Sequence, residues 1–376
     1  MTTQINVGMV GTKFMGRAHS NAYLSASRFF NLPLQPVLRA ACGRSAADLE
    51  AFARKFGWQT TESRWEDLVA RDDVDLVDIC TGNATHMPIA VAAARAGKHI
   101  LCEKPMALDA SQARQMLEAA EEAGVCHMVA FNYRRVPALA LARQLIQEGK
   151  IGQVRHFNAA YYQDWLVDPA YGYTWRHDAK KGGSGAHGDL NAHTVDLARF
   201  LVGEVDAVSA AQETFVKERP VSGSPHMAPV TVDDSFFFLA RFRGGALGTF
   251  VATRVATGRR NMLRLEIFGS KGALAFNLER LNELEFYSEA DNEGMQGYRT
   301  ILVTEESHPY LSAWWPTGHV LGWEHTFVHE VRDLLLAIHE GRGAVPSFHD
   351  GLRCQQVLDA ALESARSGAW VDVAGG

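Results

Sequence analysis

Ile5-Asn6-Val7-Gly8-Met9-Val10 runs straight into Gly11-Thr12-Lys13-Phe14-Met15-Gly16, and a helix-compatible stretch follows from Arg17. A short apolar strand, a glycine-rich turn and a helix, in that order, commit the start of the chain to a strand–helix unit whose next strand lies parallel to the first. The spacing fits Gly-x-Gly-x-x-Gly. In that pattern the first glycine makes the turn, the second lets backbone close on a pyrophosphate, and the third lets helix pack on strand. Gly11 and Gly16 hold the first and third places, and Lys13 stands in the second. A lysine there keeps phosphates further off or puts its own ammonium on them. The competing reading is a tight turn ahead of a helix. Its place at the head of a repeating strand–helix pattern favours a dinucleotide.

The pattern continues. Val37 to Cys42 reads as a second strand ending on Gly43-Arg44-Ser45, and Ser45 with Asp48 resembles a capping box. An NAD site often carries an acid at this strand end to bond the ribose 2′-hydroxyl. None is present, and Arg44 and Ser45 stand where a 2′-phosphate would be met. The expected cofactor is therefore NAD or NADP, with a lean to NADP; alternatively Arg44 stacks on adenine or is merely solvated. Trp65 to Val69 reads as a short helix and Val74 to Cys80 as a buried strand. Thr81-Gly82-Asn83 and His86 follow, then a helix with Pro88 in its first turn. Gly97-Lys98-His99-Ile100-Leu101-Cys102-Glu103-Lys104-Pro105 is a buried strand that stops on an acid, a base and a proline. Two charges at that point are costly unless they line a cleft or are paired. Pro105 restricts the backbone of Lys104. A helix from Asp109 to Gly124 and a strand from Cys126 to Phe131 complete a doubly wound parallel sheet.

Beyond about Leu145 the character changes. Strands at 154–162, 206–212, 234–242, 248–253, 262–268, 272–277 and 283–287 follow with few helices between them, which indicates an open, mainly antiparallel sheet. Two helices, 323–339 and 350–367, close the chain. The expected division is 1–131 and 132–376. The length of 376 residues suits two domains. A net charge of −6 gives no case for nucleic acid or an anionic membrane. The five scattered cysteines make no disulfide framework, so a reducing, cytoplasmic setting is expected.

Gly182-Gly183-Ser184-Gly185 leads flexibly into a helix beginning near Gly188, which puts Asp189, His193 and Asp196 on one helical face. An acid one turn from a histidine orients it and makes a base that works near neutral pH. An ion-paired core histidine fits the same spacing. His325 and His329 lie four apart with Glu324 and Glu330 beside them, but no third ligand has a natural spacing, so no metal is expected and a polar helix face is the preferred account.

Together these stretches resemble the glucose–fructose oxidoreductase / inositol dehydrogenase (Gfo/Idh/MocA) family. The carriers are the glycine turn through His19, Thr81-Gly82-Asn83 with His86, Glu103-Lys104-Pro105, and Asp189 with His193. The resemblance implies a Rossmann NAD(P)-binding domain followed by an α+β substrate and oligomerisation domain. It places Lys104 beside the nicotinamide and the substrate hydroxyl, with His193 and Asp189 as an acid–base pair. On it, Gly11, Lys13, Phe14, Met15, Gly16, Arg44, Ser45, Thr81, Gly82, Asn83, His86, Glu103, Lys104 and Asn132 are cofactor-directed. Lys13 for glycine, Gly82 for proline and Asn191 for glycine depart from the family pattern.

Further motifs, Phe131-Asn132-Tyr133-Arg134-Arg135, Tyr162-Gln163-Asp164-Trp165, Trp175-Arg176 and His308-Pro309-Tyr310, resemble members of that family that oxidise a sugar-ring hydroxyl to a ketone. Aromatic faces and planar polar groups are what sugars bind to. Tyr133, Arg134, Gln163, Asp164, Trp165, Trp175 and Arg176 join Lys104, Asp189 and His193 as expected substrate contacts. The expected reaction is hydride transfer between a ring hydroxyl of a sugar, glycoside or cyclic polyol and the nicotinamide. The alternatives are a cofactor-binding regulator without turnover, and a redox lyase or hydrolase that uses bound cofactor transiently. A homodimer or homotetramer is expected, because Phe236, Phe238, Ala240 and Phe242 alternate with Phe237 and Leu239 and make both faces of one strand apolar. The competing account is that 288–322 covers the open face.

Overall fold

The computed structural model describes residues 3–374. Two compact units divide the chain: the first runs to Arg135 and takes in Gly322–Arg353, and the second is Val136–Leu321 with the residues from Cys354 onward.

In the first unit the strands are β1 Thr3–Val10, β2 Leu34–Cys42, β3 Thr60–Glu62, β4 Leu76–Ile79, β5 His99–Cys102 and β6 His127–Val129. They form one parallel sheet in the order β3-β2-β1-β4-β5-β6. Between them come α1 Phe14–Phe29, α2 Ala46–Phe56, α3 Trp65–Val69, α4 His86–Arg95 and α5 Ala110–Glu122. Helices on both faces bury central strands completely, and all four residues of β4 are buried, Asp78 among them. Asp109 caps α5, accepting the Gln112 N–H at 2.8 Å. The capping box expected at Ser45 does not form: Ser45 makes no side-chain cap bond, and Asp48 instead receives Lys13 Nζ at 3.0 Å.

The later helices are α6 Pro137–Gln147, α7 Ala179–Gly182, α8 Ala192–Leu201, α9 His325–His339 and α10 Phe348–Ser367. Sequence reading passed over α6, although Pro137 at its first turn is a start signal. The expected division at 131/132 misplaces two pieces, since residues 132–135 and Gly322–Arg353 belong with the first unit. The cause is the apolar stripe of α9, where Phe327, Val331, Leu334 and Leu335 are buried and the helix packs on α1. His329 and Glu330 are buried on it too, so the expected polar face is not there.

The second unit is built on a nine-stranded sheet of β7 Val154–Tyr162, β8 Val205–Glu213, β11 Ser235–Phe242, β12 Leu247–Thr253, β13 Met262–Gly269, β14 Gly272–Asn277, β15 Glu283–Ser288, β16 Arg299–Leu302 and β17 Val371–Asp372. A separate hairpin pairs β9 Glu218–Pro220 with β10 Met227–Pro229. The order is β16-β15-β14-β13-β7-β12-β11-β8-β17, antiparallel except where β12 meets β7. One face of β11 is core: Phe236, Phe238, Ala240 and Phe242 are buried. On the other face Phe237 and Leu239 are 48% and 50% exposed, so 288–322 does not cover them. No described helix is long and apolar enough to cross a membrane.

Candidate active site

The expected residues fall on both units. In the first, loops leave the carboxyl ends of β1, β2, β4, β5 and β6, and with the first turns of α1 and α4 they carry every cofactor-directed residue expected from the sequence. Open parallel sheets bind ligands at that edge, where the strand order reverses, here between β1 and β4. Gly11 has φ +106°, and a Cβ on it would lie 2.5 Å from the Cys80 carbonyl oxygen. A Cβ on Gly16 would overlap the Gly11 carbonyl. The turn thus excludes side chains at both places and presents the first N–H groups of α1, the cradle a pyrophosphate needs. Lys13 departs from glycine at a negative φ of −84°, with its ammonium on Asp48. Gly82 sits at φ −78° and ψ 149°, the region a proline would hold, so that departure changes no geometry. The exposed ring of Phe14 stacks on Trp323 with centroids 5.5 Å apart.

Behind these loops lies a buried polar cluster. His19 of α1 places Nδ1 2.9 and 3.0 Å from the two Asp78 oxygens and Nε2 3.0 Å from Glu103 Oε1. Both ring nitrogens face carboxylates, so the ring donates from both and is an imidazolium. Burial works against that charge, but Asp78 outweighs it and holds the His19 pKa well above the usual histidine range. Glu103 Oε2 accepts the backbone N–H of Lys104 at 3.0 Å. The lysine two residues past β5 is thereby tied through Glu103 and His19 to α1 and β4. The Lys104–Pro105 bond is cis. His86 is buried with Nδ1 3.0 Å from the Pro105 carbonyl and Nε2 3.2 Å from that of Thr81. Burial lowers its pKa against the pull of these carbonyls, and the ring joins the two loops. Glu330 lies nearby; burial pushes its pKa up to about 8 against the opposing Arg135, whose Nη1 is 3.8 Å away.

Three residues expected to face ligand have inward roles. Asn132 Nδ2 donates to Thr326 Oγ1 at 2.8 Å, and Arg134 Nη2 donates to Asp350 Oδ1 at 3.2 Å. Tyr133 is buried between them in sequence. These contacts hold the turn Asn132–Arg135 to the returning segment.

In the second unit the helix entry is not α-helical. His187–Asn191 is a π turn, and α8 follows from Ala192. The glycine run is a close fit rather than a flexible approach: a Cβ on Gly185 would overlap the Asp233 main chain. The Asp233 carboxylate accepts the N–H groups of Gly185 and His187 at 2.7 and 2.8 Å. Asn191, where the family favours glycine, donates to His187 Nδ1 at 3.1 Å and accepts from Thr194 Oγ1 at 3.1 Å. His187 stacks on Phe236 at 3.7 Å, and burial lowers its pKa to about 4, so it is a neutral core group. Because Asp189 lies in the π turn, the α-helical spacing does not fix its direction. Its Oδ2 accepts Arg254 Nη2 at 2.8 Å. His193 is buried, with its ring tilted against Tyr161.

The expected sugar contacts are locked by neighbours. Trp165 Nε1 donates to Gln163 Oε1 at 2.7 Å, while Gln163 Nε2 and Tyr161 Oη both donate to Asn261 Oδ1. Asp164 meets Arg260 at 3.3 Å and accepts the Gly258 N–H. The exposed Arg176 lies over the Trp175 ring at 4.4 Å. Arg219, fully buried, donates to the carbonyls of Leu166 and Asp168 at 2.7 and 2.9 Å and so holds the loop that carries these aromatics. Sequence reading missed Asp78, Arg219, Arg254, Asn261 and Trp323. For Asp78 the signal was an acid inside an apolar strand. For Arg254 it was a cation just past a buried strand end.

Comparison with known proteins bears on both units. Residues 5–131 match the model of the oxidoreductase family with an NAD-binding Rossmann fold. Residues 139–275 match the GFO/IDH/MocA C-terminal domain. A levoglucosan dehydrogenase from Pseudarthrobacter phenanthrenivorans is 41% identical over 98% of both chains. The crystal structure of an oxidoreductase domain protein from Kribbella flavida is 53% identical with a TM-score of 0.96, covering 99% of each chain. A levoglucosan dehydrogenase solved with NADH and levoglucosan is 42% identical with a TM-score of 0.96, again over 99% of each.

Proposed function

Because this chain belongs to the Gfo/Idh/MocA family and is an NAD(P)-dependent sugar dehydrogenase, we propose that it oxidises a ring hydroxyl of levoglucosan or a similar cyclic sugar, with Lys104, Asp189 and His193 as its catalytic residues. The observation that carries this reading is the mounting of Lys104. It lies two residues past a parallel strand at the ligand edge, with its backbone N–H held by Glu103, which His19 holds in turn. The Gly11–Gly16 cradle fits the cofactor's pyrophosphate, and the loops at Thr81–Asn83 and Glu103–Lys104 would hold the rest. NAD, when bound, supplies the acceptor for the two electrons and the hydrogen that leave the carbinol carbon. His193 takes the hydroxyl proton, a role that typically contributes ~10²–10⁴-fold in rate. Lys104 holds the same oxygen and stabilises the charge that develops on it. Asp189 keeps the base oriented. The deciding experiment offers levoglucosan, glucose and inositol with NAD+ or NADP+ and follows cofactor reduction. Turnover of the anhydrosugar is expected. Cofactor binding with no turnover of any sugar would indicate a regulator, and release of a glycosidic leaving group without net reduction would indicate a redox lyase or hydrolase.

Cofactor choice turns on Arg44, exposed past the end of β2, where no acid stands. Arg44→Ala is expected to weaken NADP+ more than NAD+ in direct binding; equal losses would mean that Arg44 only stacks on adenine.

The enzyme works as a homodimer or homotetramer joined through the open sheet face. Phe237, Leu239 and Leu247 are exposed there on neighbouring strands, an apolar patch that a monomer rarely shows to water. Light scattering during size-exclusion chromatography is expected to give two or four chain masses, and a single-chain mass at micromolar concentration would end this reading. Five free cysteines, four of them buried, suit a reducing, cytoplasmic setting.

A further inference from the structure

We propose that Arg254 is a positioning residue of the sugar site, a buried guanidinium that holds the Asp189 carboxylate and fixes the Trp165 indole. The inference rests on the acid–base reading of Asp189 and His193.

Arg254 follows the last residue of β12, the strand that packs against the π turn carrying Asp189. Its side chain is only 2% exposed, while that of Asp189 is 29% exposed. Nη2 donates to Asp189 Oδ2 at 2.8 Å. Nε and Nη1 are buried and donate to nothing among the described residues, and Asp189 is the only acid there within ion-pair distance. A buried guanidinium with one carboxylate partner has its charge compensated at that single point, and removing either partner strands the other. The same guanidinium lies 5.4 Å from the Trp165 ring, within cation–π range. The backbone repeats the link, because the Leu166 N–H donates to the Arg254 carbonyl at 3.1 Å.

The tie extends further into the loop. Trp165 and Tyr171 meet edge to face at 5.1 Å, and Arg219 lies 6.0 Å from the Tyr171 ring. Two guanidinium groups thus bracket an aromatic pair. Arg219 holds the loop carbonyls, and Arg254 joins the near end of the pair to the acid. The charged and titratable groups near this pair are His193, which follows in α8, Asp233, whose carboxylate holds the start of the π turn, and His177, which feels the Arg254 charge. The His177 pKa is lowered to about 4 by burial, with Arg219 and Arg254 adding to it.

The charge and the plane of Arg254 make separable predictions. Without the cation, the Asp189 carboxylate loses a favourable positive neighbour and a protonated base in the site loses an unfavourable one. Both changes move the acid limb of the rate profile to higher pH. Without the plane, Trp165 loses its support whatever the charge, and lysine does not replace arginine at a stacked site. The experiment measures kcat and KM for levoglucosan with saturating NAD+ across pH in wild type, Arg254→Gln, Arg254→Lys, Asp189→Asn and His193→Ala, with thermal melting of each to establish folding. Arg254→Gln is expected to move the acid limb up by about one pH unit or more, the size of shift an adjacent opposite charge produces, and to raise the sugar KM severalfold. Arg254→Lys is expected to restore the limb and leave KM raised. Wild-type limb and KM in Arg254→Gln, while Asp189→Asn and His193→Ala are crippled, overturn the proposal and leave the acid–base reading standing. If Arg254→Gln does not fold, a wild-type KM in Arg254→Lys overturns it. Wild-type kcat in both Asp189→Asn and His193→Ala is the other failure, in which the acid–base reading falls and takes this proposal with it.

Discussion

Lys104→Ala lowers kcat by ~10²–10³-fold, the usual cost of removing one preorganised donor to developing oxyanion charge, and leaves NAD+ affinity within a few-fold of wild type. The asymmetry follows from how the residue is held. Its backbone N–H is set by Glu103, a bond that survives truncation of the side chain. The dinucleotide cradle is made by Gly11, Gly16 and the start of α1, none of which needs the ammonium. What is lost is a charge that matters most when the substrate oxygen becomes an alkoxide, so the loss appears in kcat rather than in cofactor binding. Steady-state kinetics and cofactor titration of the same preparation check it. A near-wild-type kcat removes Lys104 from the mechanism.

His19→Ala is the most destabilising single change expected in the first unit, at about 3–5 kcal/mol, the range for stranding buried charge by deleting one partner. Asp78 and Glu103 have side chains 0% and 5% exposed, and His19 bonds both. Without it, two carboxylates share a dry site with no cation between them, and a cavity opens beneath Phe327, whose ring lies 5.4 Å from the imidazole. Urea unfolding measures the loss. Replacing Asp78 by Asn in the same background should recover part of it, because one stranded charge is then gone. A loss under about 1 kcal/mol for His19→Ala would mean that the histidine is neutral and replaceable. The pH dependence has a definite sign. The pKa of His19 is raised in the folded state, so its stabilisation is complete below the unfolded value of about 6.5 and is lost as pH climbs through the higher folded value. The wild type should therefore lose stability on the alkaline side, and His19→Ala should lose less.

Much of this site is legible in the amino-acid sequence, because parallel sheets bring loops distant along the chain to one edge. Once the strands ending at Val10, Cys42, Ile79, Cys102 and Val129 are recognised, the loops after them must assemble together. The inward roles of Asn132 and Arg134 are not legible, since their partners Thr326 and Asp350 lie far along the chain on a segment whose return no local pattern announces. The direction of Asp189 is hidden for a different reason. Helical spacing assumes 3.6 residues per turn, and one π turn breaks that period. Arg254 and Arg219 are hidden because lone arginines on or just past strands usually face solvent, and only packing shows that these two do not.

The return of Gly322–Arg353 has a consequence for how the polypeptide is made. As the chain leaves the ribosome, all six parallel strands and α1 emerge first, and the entire nine-strand sheet except β17 is translated before α9. Until then the side of α1 that α9 covers, with the His19 imidazolium near its surface, stands open to water and to chaperones. The nascent nucleotide-binding half therefore waits as an unfinished intermediate, and a gene fragment stopping at Arg135 would encode a polypeptide held permanently at that stage.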